Sequence, residues 1–337
     1  MKAYHLTAST GADALKINQL AEPKPAPGQV LVRVRATSLN YRDLMVASDR
    51  YGPGVPLPLI PLSDGAGEIA AVGSGVTRRK VGDRAAGTFF QGWQSGPVRR
   101  EVFETALGGS INGMLAEYVA LSADGVIAIP AHLSFEEAAT LPCAALTAWQ
   151  ALVTQGKVSA GQTVVVLGTG GVSIFALQFA KMHGARVIIT SSNDAKLERA
   201  RALGADETIN YRTTPDWEKE VFRFTEKAGA DHVVEVGGTD TFPRSLRAVA
   251  MGGTVSVIGG VSGFTSEVAL RDILGKSALI RGIFVGNHDM FTAMNRAISL
   301  HHLKPVIDRV FSFAEAPAAY RYQESGAHFG KVVITVS

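Results

Sequence analysis

The run Thr163-Val164-Val165-Val166-Leu167-Gly168-Thr169-Gly170-Gly171-Val172-Ser173 decides the fold. Its first half is a short apolar stretch of the kind that forms a strand buried on both faces. Glycines then stand at 168, 170 and 171, and Ile174-Phe175-Ala176-Leu177-Gln178-Phe179-Ala180-Lys181 follows with a helical pattern. A strand that turns directly into a helix gathers unpaired backbone N–H groups and the positive end of the helix dipole at one point, which suits a diphosphate. Gly168 permits the tight turn, Gly170 lets backbone approach the pyrophosphate, and Thr169, Gly171 and Val172 complete the cradle. Ser173 replaces the third glycine of the usual pattern, where close helix–strand packing asks for a small residue. The alternative is a glycine-rich turn that binds nothing; what favours a dinucleotide is that this turn starts a series of strand–helix units.

Strands are expected at 186–190, 206–210, 231–236, 253–258 and 279–285, with helices at 194–203, 215–227 and 241–250 between them. Six strands alternating with helices specify a doubly wound parallel sheet in an α/β protein. Ser134 and Glu137 form a capping box that opens this half. Residues before it read as short strands punctuated by glycine and proline, a mostly antiparallel domain in which Gln29–Ala36 is a half-buried strand. Residues 88–113 have no period and read as a surface excursion or a lid. A helix at 290–301 and a strand at 331–336 follow the parallel set, and that strand is expected to rejoin the first domain. The domains are therefore expected at 1–133 with 289–337, and at 134–288.

The formal net charge is +3, and no basic run exceeds three residues, so a nucleic-acid partner is not expected. A single cysteine, Cys143, excludes an internal disulfide framework. The first twenty residues lack the apolar stretch of a signal peptide, and no window approaches the roughly 18 apolar residues of a membrane span. A cytoplasmic protein with no membrane partner is the expectation.

An NAD site usually places Asp or Glu at the end of the second strand to hold the ribose 2′-hydroxyl. Here that strand ends Thr190-Ser191-Ser192-Asn193, with Lys196 one helical turn on. Hydroxyl, amide and ammonium groups suit a 2′-phosphate, so NADP (as NADPH) is expected, with NAD possible. Ser192, Asn193 or Asp194 can equally serve only as the cap of the next helix.

At this point the chain resembles the medium-chain dehydrogenases/reductases, in their zinc-independent, quinone oxidoreductase-like branch. The resemblance rests on Asn40-Tyr41-Arg42-Asp43-Leu44, Gly65-Ala66-Gly67-Glu68-Ile69, Val72-Gly73-Ser74-Gly75-Val76, Val81-Gly82-Asp83-Arg84, Leu115-Ala116-Glu117-Tyr118, Cys143-Ala144-Ala145-Leu146-Thr147-Ala148-Trp149 and the glycine turn. It implies a GroES-like catalytic domain holding both chain ends, an inserted Rossmann domain, and a homodimer formed through the last Rossmann strand. It also implies that Thr147 faces the nicotinamide end, that Tyr211 lies by the 2′-phosphate, and that Gly259, Gly260, Phe284, Val285 and Gly286 border the cofactor.

Zinc enzymes of this family take ligands from positions that match Asn40, Ser63 and Cys143. Only the last is a cysteine here, so no metal is expected, and Cys143 is read as a small buried residue. Without a Lewis acid, alcohol oxidation is hard, whereas reduction of a quinone or an α,β-unsaturated ketone needs only donors near the acceptor oxygen and a proton source. Asn40 and Tyr51 are the candidates for that work, and Trp93 and Phe264 for an aromatic substrate wall. The expected activity is NADPH-dependent reduction of a small carbonyl compound or quinone. The alternatives are an enoyl-thioester reductase and a non-catalytic NADPH-binding protein.

Overall fold

A computed structural model describes residues 1–52 and 54–336. The chain divides into two compact units, Met1–Leu146 with Gly286–Ser337, and Thr147–Val285.

The first unit is β-rich. Its strands are β1 (Lys2–Leu6), β2 (Leu15–Gln19), β3 (Gln29–Leu39), β4 (Asp64–Val72), β5 (Arg84–Gly87), β6 (Tyr118–Ser122) and β7 (Val126–Ala128), joined late in the chain by β14 (Ile307–Ser312) and β15 (Lys331–Thr335). β1 and β2 form a hairpin-like pair; the rest build a seven-stranded sheet in the order β14-β15-β3-β4-β5-β7, with β6 also on β3. The spine is β3. Its first half lies between β4 and β6, with Val30 opposite both Val72 and Leu121, and its second half between β4 and β15. Covered on both sides, β3 is buried along most of its length and runs to Leu39, past the Ala36 expected from the alternation alone. The last strand does return to this unit, as expected once the parallel sheet is complete without it: β15 pairs antiparallel with β3, Val332 opposite Leu39.

The second unit is a six-stranded parallel sheet: β8 (Thr163–Leu167), β9 (Arg186–Ser191), β10 (Glu207–Asn210), β11 (Ala230–Glu235), β12 (Val249–Val257) and β13 (Leu279–Gly282). The order β10-β9-β8-β11-β12-β13 is that of a doubly wound dinucleotide fold. Val165, Ile188, Val233 and Val255, one from each central strand, are fully buried together with Leu246 and Val221 from the covering helices.

Four expectations need correction. The first domain boundary lies after Leu146, not after residue 133, because the β-rich unit holds the capped helix Phe135–Ala138: Ser38 Oγ donates to the carbonyl of Ala139 at 2.9 Å, and Asp64 accepts from the Cys143 N–H at 3.2 Å. The second lies before Gly286, since Asn287 and His288 bond to the carbonyls of Gly96 and Trp93. β12 begins at Val249, where a helix was expected to continue, because Val249 pairs with Ala230 ahead of a register shift. β13 stops at Gly282, short of the expected 285, and Val285 has φ 43°, incompatible with a strand. Residues 88–113 run over the surface, exposed from 95 to 104 apart from Val102, and are anchored by an aromatic cluster at their start. Phe89, Phe90 and Trp93 are buried and meet edge to face, with ring centroids 4.6 and 6.0 Å apart.

Candidate active site

In the parallel unit the glycine turn is built as the sequence implies. β8 ends at Leu167, Gly168 takes φ 71°, and the helix Gly171–Met182 starts with Gly170 as N-cap. The left-handed backbone at 168 is what glycine supplies without strain. Thr169 is buried, and the Ser173 hydroxyl turns back to donate to the Leu167 carbonyl at 2.7 Å. The turn is joined to the second strand by the Gly168 N–H, which donates to Thr190 Oγ1 at 3.4 Å.

Around the end of β9, Ser191 Oγ accepts from the Asn193 N–H at 3.3 Å, and the Ser191 carbonyl accepts from the N–H of half-exposed Tyr211. Asn193 is the N-cap of the helix Asp194–Ala202, its Oδ1 accepting from the Lys196 N–H at 3.1 Å. Asp194 accepts from Asn210 Nδ2 at 2.6 Å. Gly168, Ser191, Asn193, Lys196 and Tyr211 are thus drawn together by hydrogen bonds, with Ser192 inside the same loop. The alternative role for Asn193, as a helix cap, is present in the geometry and leaves its Nδ2 out of that bond.

Gly259 and Gly260 follow β12, next to a carboxylate that the sequence reading passed over. Glu235 ends β11 and is fully buried. Its Oε1 accepts from the N–H groups of Gly237 (2.7 Å) and Gly238 (3.0 Å) and from Thr241 Oγ1 (2.6 Å), while Oε2 accepts from Ser245 Oγ. One side chain therefore ties together the loop after β11 and the helix Phe242–Ala248. The signal for it was a lone carboxylate closing an apolar strand, followed by Gly-Gly-Thr. Gln150, also passed over, donates to the carbonyls of Phe284 (3.2 Å) and Val285 (3.1 Å) with its amide nitrogen turned towards them. It braces Val285 in a left-handed conformation that is strained for a β-branched residue. Thr147 is buried at the start of this unit; Gly286 belongs to the other one. Phe264 is exposed and Trp93 is buried with its Nε1 on the Gly96 carbonyl, so Trp93 acts in packing.

The β-rich unit buries a second polar cluster. Asn40 precedes the helix Tyr41–Ala47 and donates its N–H to Asp43 Oδ2 at 2.8 Å. Asp43 Oδ1 lies 3.1 Å from Arg42 Nη1, which also donates to the carbonyls of Leu107 and Gly108. The guanidinium sits 4.4 Å from the centroid of the Tyr51 ring and 5.0 Å from that of Phe89. Asn40 and Tyr51 are thereby linked through Asp43 and Arg42. Burial pushes the Asp43 carboxyl up to about 6, against the pull of Arg42.

Lys331, at the start of β15, is 2% exposed. Its ammonium donates to the Leu39 carbonyl and to Asn40 Oδ1, each at 2.5 Å, and stands 4.0 Å from Asp64. Asp64 also accepts from Ser63 Oγ at 2.7 Å. Burial raises the carboxyl of Asp64 and lowers the ammonium of Lys331, and each group opposes the other's shift. Burial also pushes the Cys143 thiol up, and the nearby Asp64 adds to the effect. Among the described residues no three His, Cys, Asp or Glu side chains are grouped to hold a metal ion, and no helix is long and apolar enough to cross a membrane.

Known proteins share this architecture. Residues 26–131 match the alcohol dehydrogenase GroES-like domain and residues 171–299 the zinc-binding dehydrogenase domain. A zinc-type alcohol dehydrogenase-like protein of Schizosaccharomyces pombe is 45% identical over 97% of this chain and 96% of its own length. The 2-methylene-furan-3-one reductase of Solanum lycopersicum is 33% identical over 99% of this chain and 79% of its own. The crystal structure of an NAD-dependent alcohol dehydrogenase superposes with a TM-score of 0.92 at 36% identity, over the whole of both chains. A β-rich GroES-like unit, a parallel sheet opened by a glycine turn and full-length relatives of this kind have one reading: the chain belongs to the medium-chain dehydrogenase/reductase family of oxidoreductases.

Proposed function

We propose that this protein reduces quinones, enones or related activated carbonyl compounds with NADPH and without zinc. The observation that carries the reading is the bond between Lys331 and Asn40 Oδ1. At the positions that match the zinc ligands of related enzymes, an amide oxygen is taken by an ammonium, a hydroxyl is spent on Asp64, and burial keeps the one cysteine as a thiol. This donor set does not fit zinc, which takes about three protein ligands as anions or neutral imidazoles.

The glycine turn, its helix N-terminus and the strand order fit a nicotinamide dinucleotide, which when bound supplies the hydride. The absence of a carboxylate at Ser191 and Ser192, with Lys196 close by, favours the 2′-phosphorylated form. The chain's own part is to hold charge and protons. The Asn40 amide offers an uncharged N–H to an acceptor oxygen that gains negative charge. Tyr51, whose ring lies against the Arg42 guanidinium, orients the acceptor or passes a proton to that oxygen. The parent reaction of the Solanum lycopersicum relative, named for a conjugated ketone, is of this class. The outer edge of β13 pairs with no strand among the described residues and exposes Leu279 and Ile280, which suits a second copy of the chain.

The test is to incubate the purified chain with NADPH or NADH and a panel of quinones, enones, enoyl thioesters and simple alcohols. Oxidation of NADPH with a quinone or enone, insensitive to chelators, is expected. No turnover above background, or zinc-dependent alcohol oxidation, overturns the reading; preference for the thioesters moves it to that substrate class.

A further inference from the structure

Lys331 is a charged side chain held almost wholly out of water. Removing an ammonium from water is costly, and such a group is retained where its partners are fixed. Its partners are few and specific. An ammonium has three donors and no acceptor. One donor meets the Leu39 carbonyl, one meets Asn40 Oδ1, and the charge faces Asp64.

This has a consequence for Asn40. The two ends of an amide differ only in that one accepts and the other donates, and a free asparagine can present either by rotation. Here rotation is blocked from both sides. A flip would turn the amide nitrogen onto the ammonium and the amide oxygen onto the Asp64 carboxylate, opposing like to like at each contact. In the observed orientation Nδ2 is buried on the Asp64 side; an amide nitrogen carries two hydrogens, so one faces Asp64 and the other is left for an acceptor. The Asn40 backbone is fixed separately, by its N–H on Asp43.

We propose that Lys331 is a positioning residue for the reaction: with Asp64 as counter-ion, it fixes the Asn40 amide so that the N–H end, not the carbonyl end, is the one offered to the acceptor oxygen. The inference rests on the proposed role of Asn40 as a donor. Lys331 itself moves no proton and touches no substrate. It acts across a separation of 291 residues in the chain, from the start of β15 onto the residue that follows β3.

The experiment is a double-mutant cycle on the full-length protein with the best quinone or enone acceptor, reading kcat, KM, the NADPH dissociation constant and the unfolding midpoint for Asn40→Ala, Lys331→Met and the double variant. Loss of a donor to developing charge is expected to lower kcat roughly a hundredfold in Asn40→Ala. Lys331→Met is expected to lose at least about tenfold in kcat with NADPH binding unchanged, and the double variant to be no slower than Asn40→Ala, as for residues that act through one another. Lys331→Arg, which keeps charge and donors, is expected to recover most of the rate. If Lys331→Met does not fold, Lys331→Gln is read in the same cycle. Wild-type kcat in Asn40→Ala would show that the donor role of Asn40 is wrong. An impaired Asn40→Ala beside an unimpaired Lys331 variant, or losses that multiply in the double variant, would leave that role standing and overturn the positioning role.

Discussion

Ser173 Oγ donates to the carbonyl of Leu167 at 2.7 Å, so the helix behind the glycine turn is hydrogen-bonded to the last residue of the strand in front of it. A glycine at 173 would allow the same approach but not this bond. Ser173→Gly is therefore expected to cost about 1 kcal/mol for the buried bond, plus up to ~1 kcal/mol for glycine in a helix. The same change should weaken binding of the dinucleotide, measured by titration of protein fluorescence with NADPH. Unchanged stability and affinity would show that the bond is incidental.

Glu235 satisfies two backbone N–H groups that no other acceptor reaches. In Glu235→Ala they are left half-buried without that acceptor, at up to about 1 kcal/mol each. Glu235→Gln keeps an acceptor for both glycines and lets the Ser245 hydroxyl turn to accept from the new amide. Urea unfolding should therefore rank the variants wild type, Gln, Ala, with a wide gap before Ala. A Gln variant as unstable as Ala would mean that the negative charge, not the hydrogen-bond pattern, is what the loop needs.

Between the Arg42 guanidinium and the 108–109 turn there is no room for a side chain. A Cβ at Gly109 would lie 2.3 Å from Arg42 Nη2, and Nη1 is already fixed by Asp43 and two carbonyls. Gly109→Ala is expected to destabilise by ~1–3 kcal/mol through overpacking and to lower turnover by displacing Arg42 from Tyr51. Thermal unfolding and steady-state rates check it. Adding Arg42→Met should cost less in the Gly109→Ala background than in wild type. Wild-type stability of Gly109→Ala would refute the crowding.

His232 stands on β11 with Nε2 against Gln162 Oε1 at 3.1 Å and Nδ1 buried without a hydrogen bond. Burial lowers its pKa below the ordinary 6.5. The folded state thus disfavours the imidazolium, so the stability that neutral His232 contributes is complete above pH 6.5 and is lost as pH falls through the lowered folded value. Urea unfolding at pH 7.5 and 5.0 should show a smaller acid loss in His232→Gln than in wild type. Equal losses would assign the acid sensitivity elsewhere.

A carboxylate at Ser192 would stand where NAD sites hold the ribose hydroxyl. Ser192→Asp is expected to lower the ratio of kcat/KM for NADPH over NADH by at least about tenfold, the effect of ~1.4 kcal/mol of like-charge repulsion. A ratio that does not move would place the 2′-phosphate away from this loop.

The parallel sheet was legible because its central strands β8, β9 and β11 carry apolar runs and patterned helices follow them, so pattern and fold share one scale. The glycine turn was legible for the same reason. The boundary at 146 was not, because the sequence announces where the helix after Ser134 begins but not which unit covers it. The polar cluster of the β-rich unit was legible only in part. Asn40 and Tyr51 stand near each other in sequence, whereas Lys331 reaches Asn40 from the far end of the chain, and a lysine opening an apolar strand reads as a solvated flank. Glu235 was missed because half of its bonds come from backbone N–H groups, which any residue supplies, and its hydroxyl partners stand six and ten residues on.

The return of β15 to β3 sets an order of events. On a ribosome the nucleotide sheet emerges in full before the lysine that completes the other unit is synthesised. The early β-rich segment must therefore wait, with the second half of one flank of β3 uncovered, while the other unit is made. Whatever shields that flank in the interval, whether transient self-association or a chaperone, governs how much nascent chain reaches an active form, and a deletion of the final strand should yield a folded nucleotide unit carrying an insoluble partner.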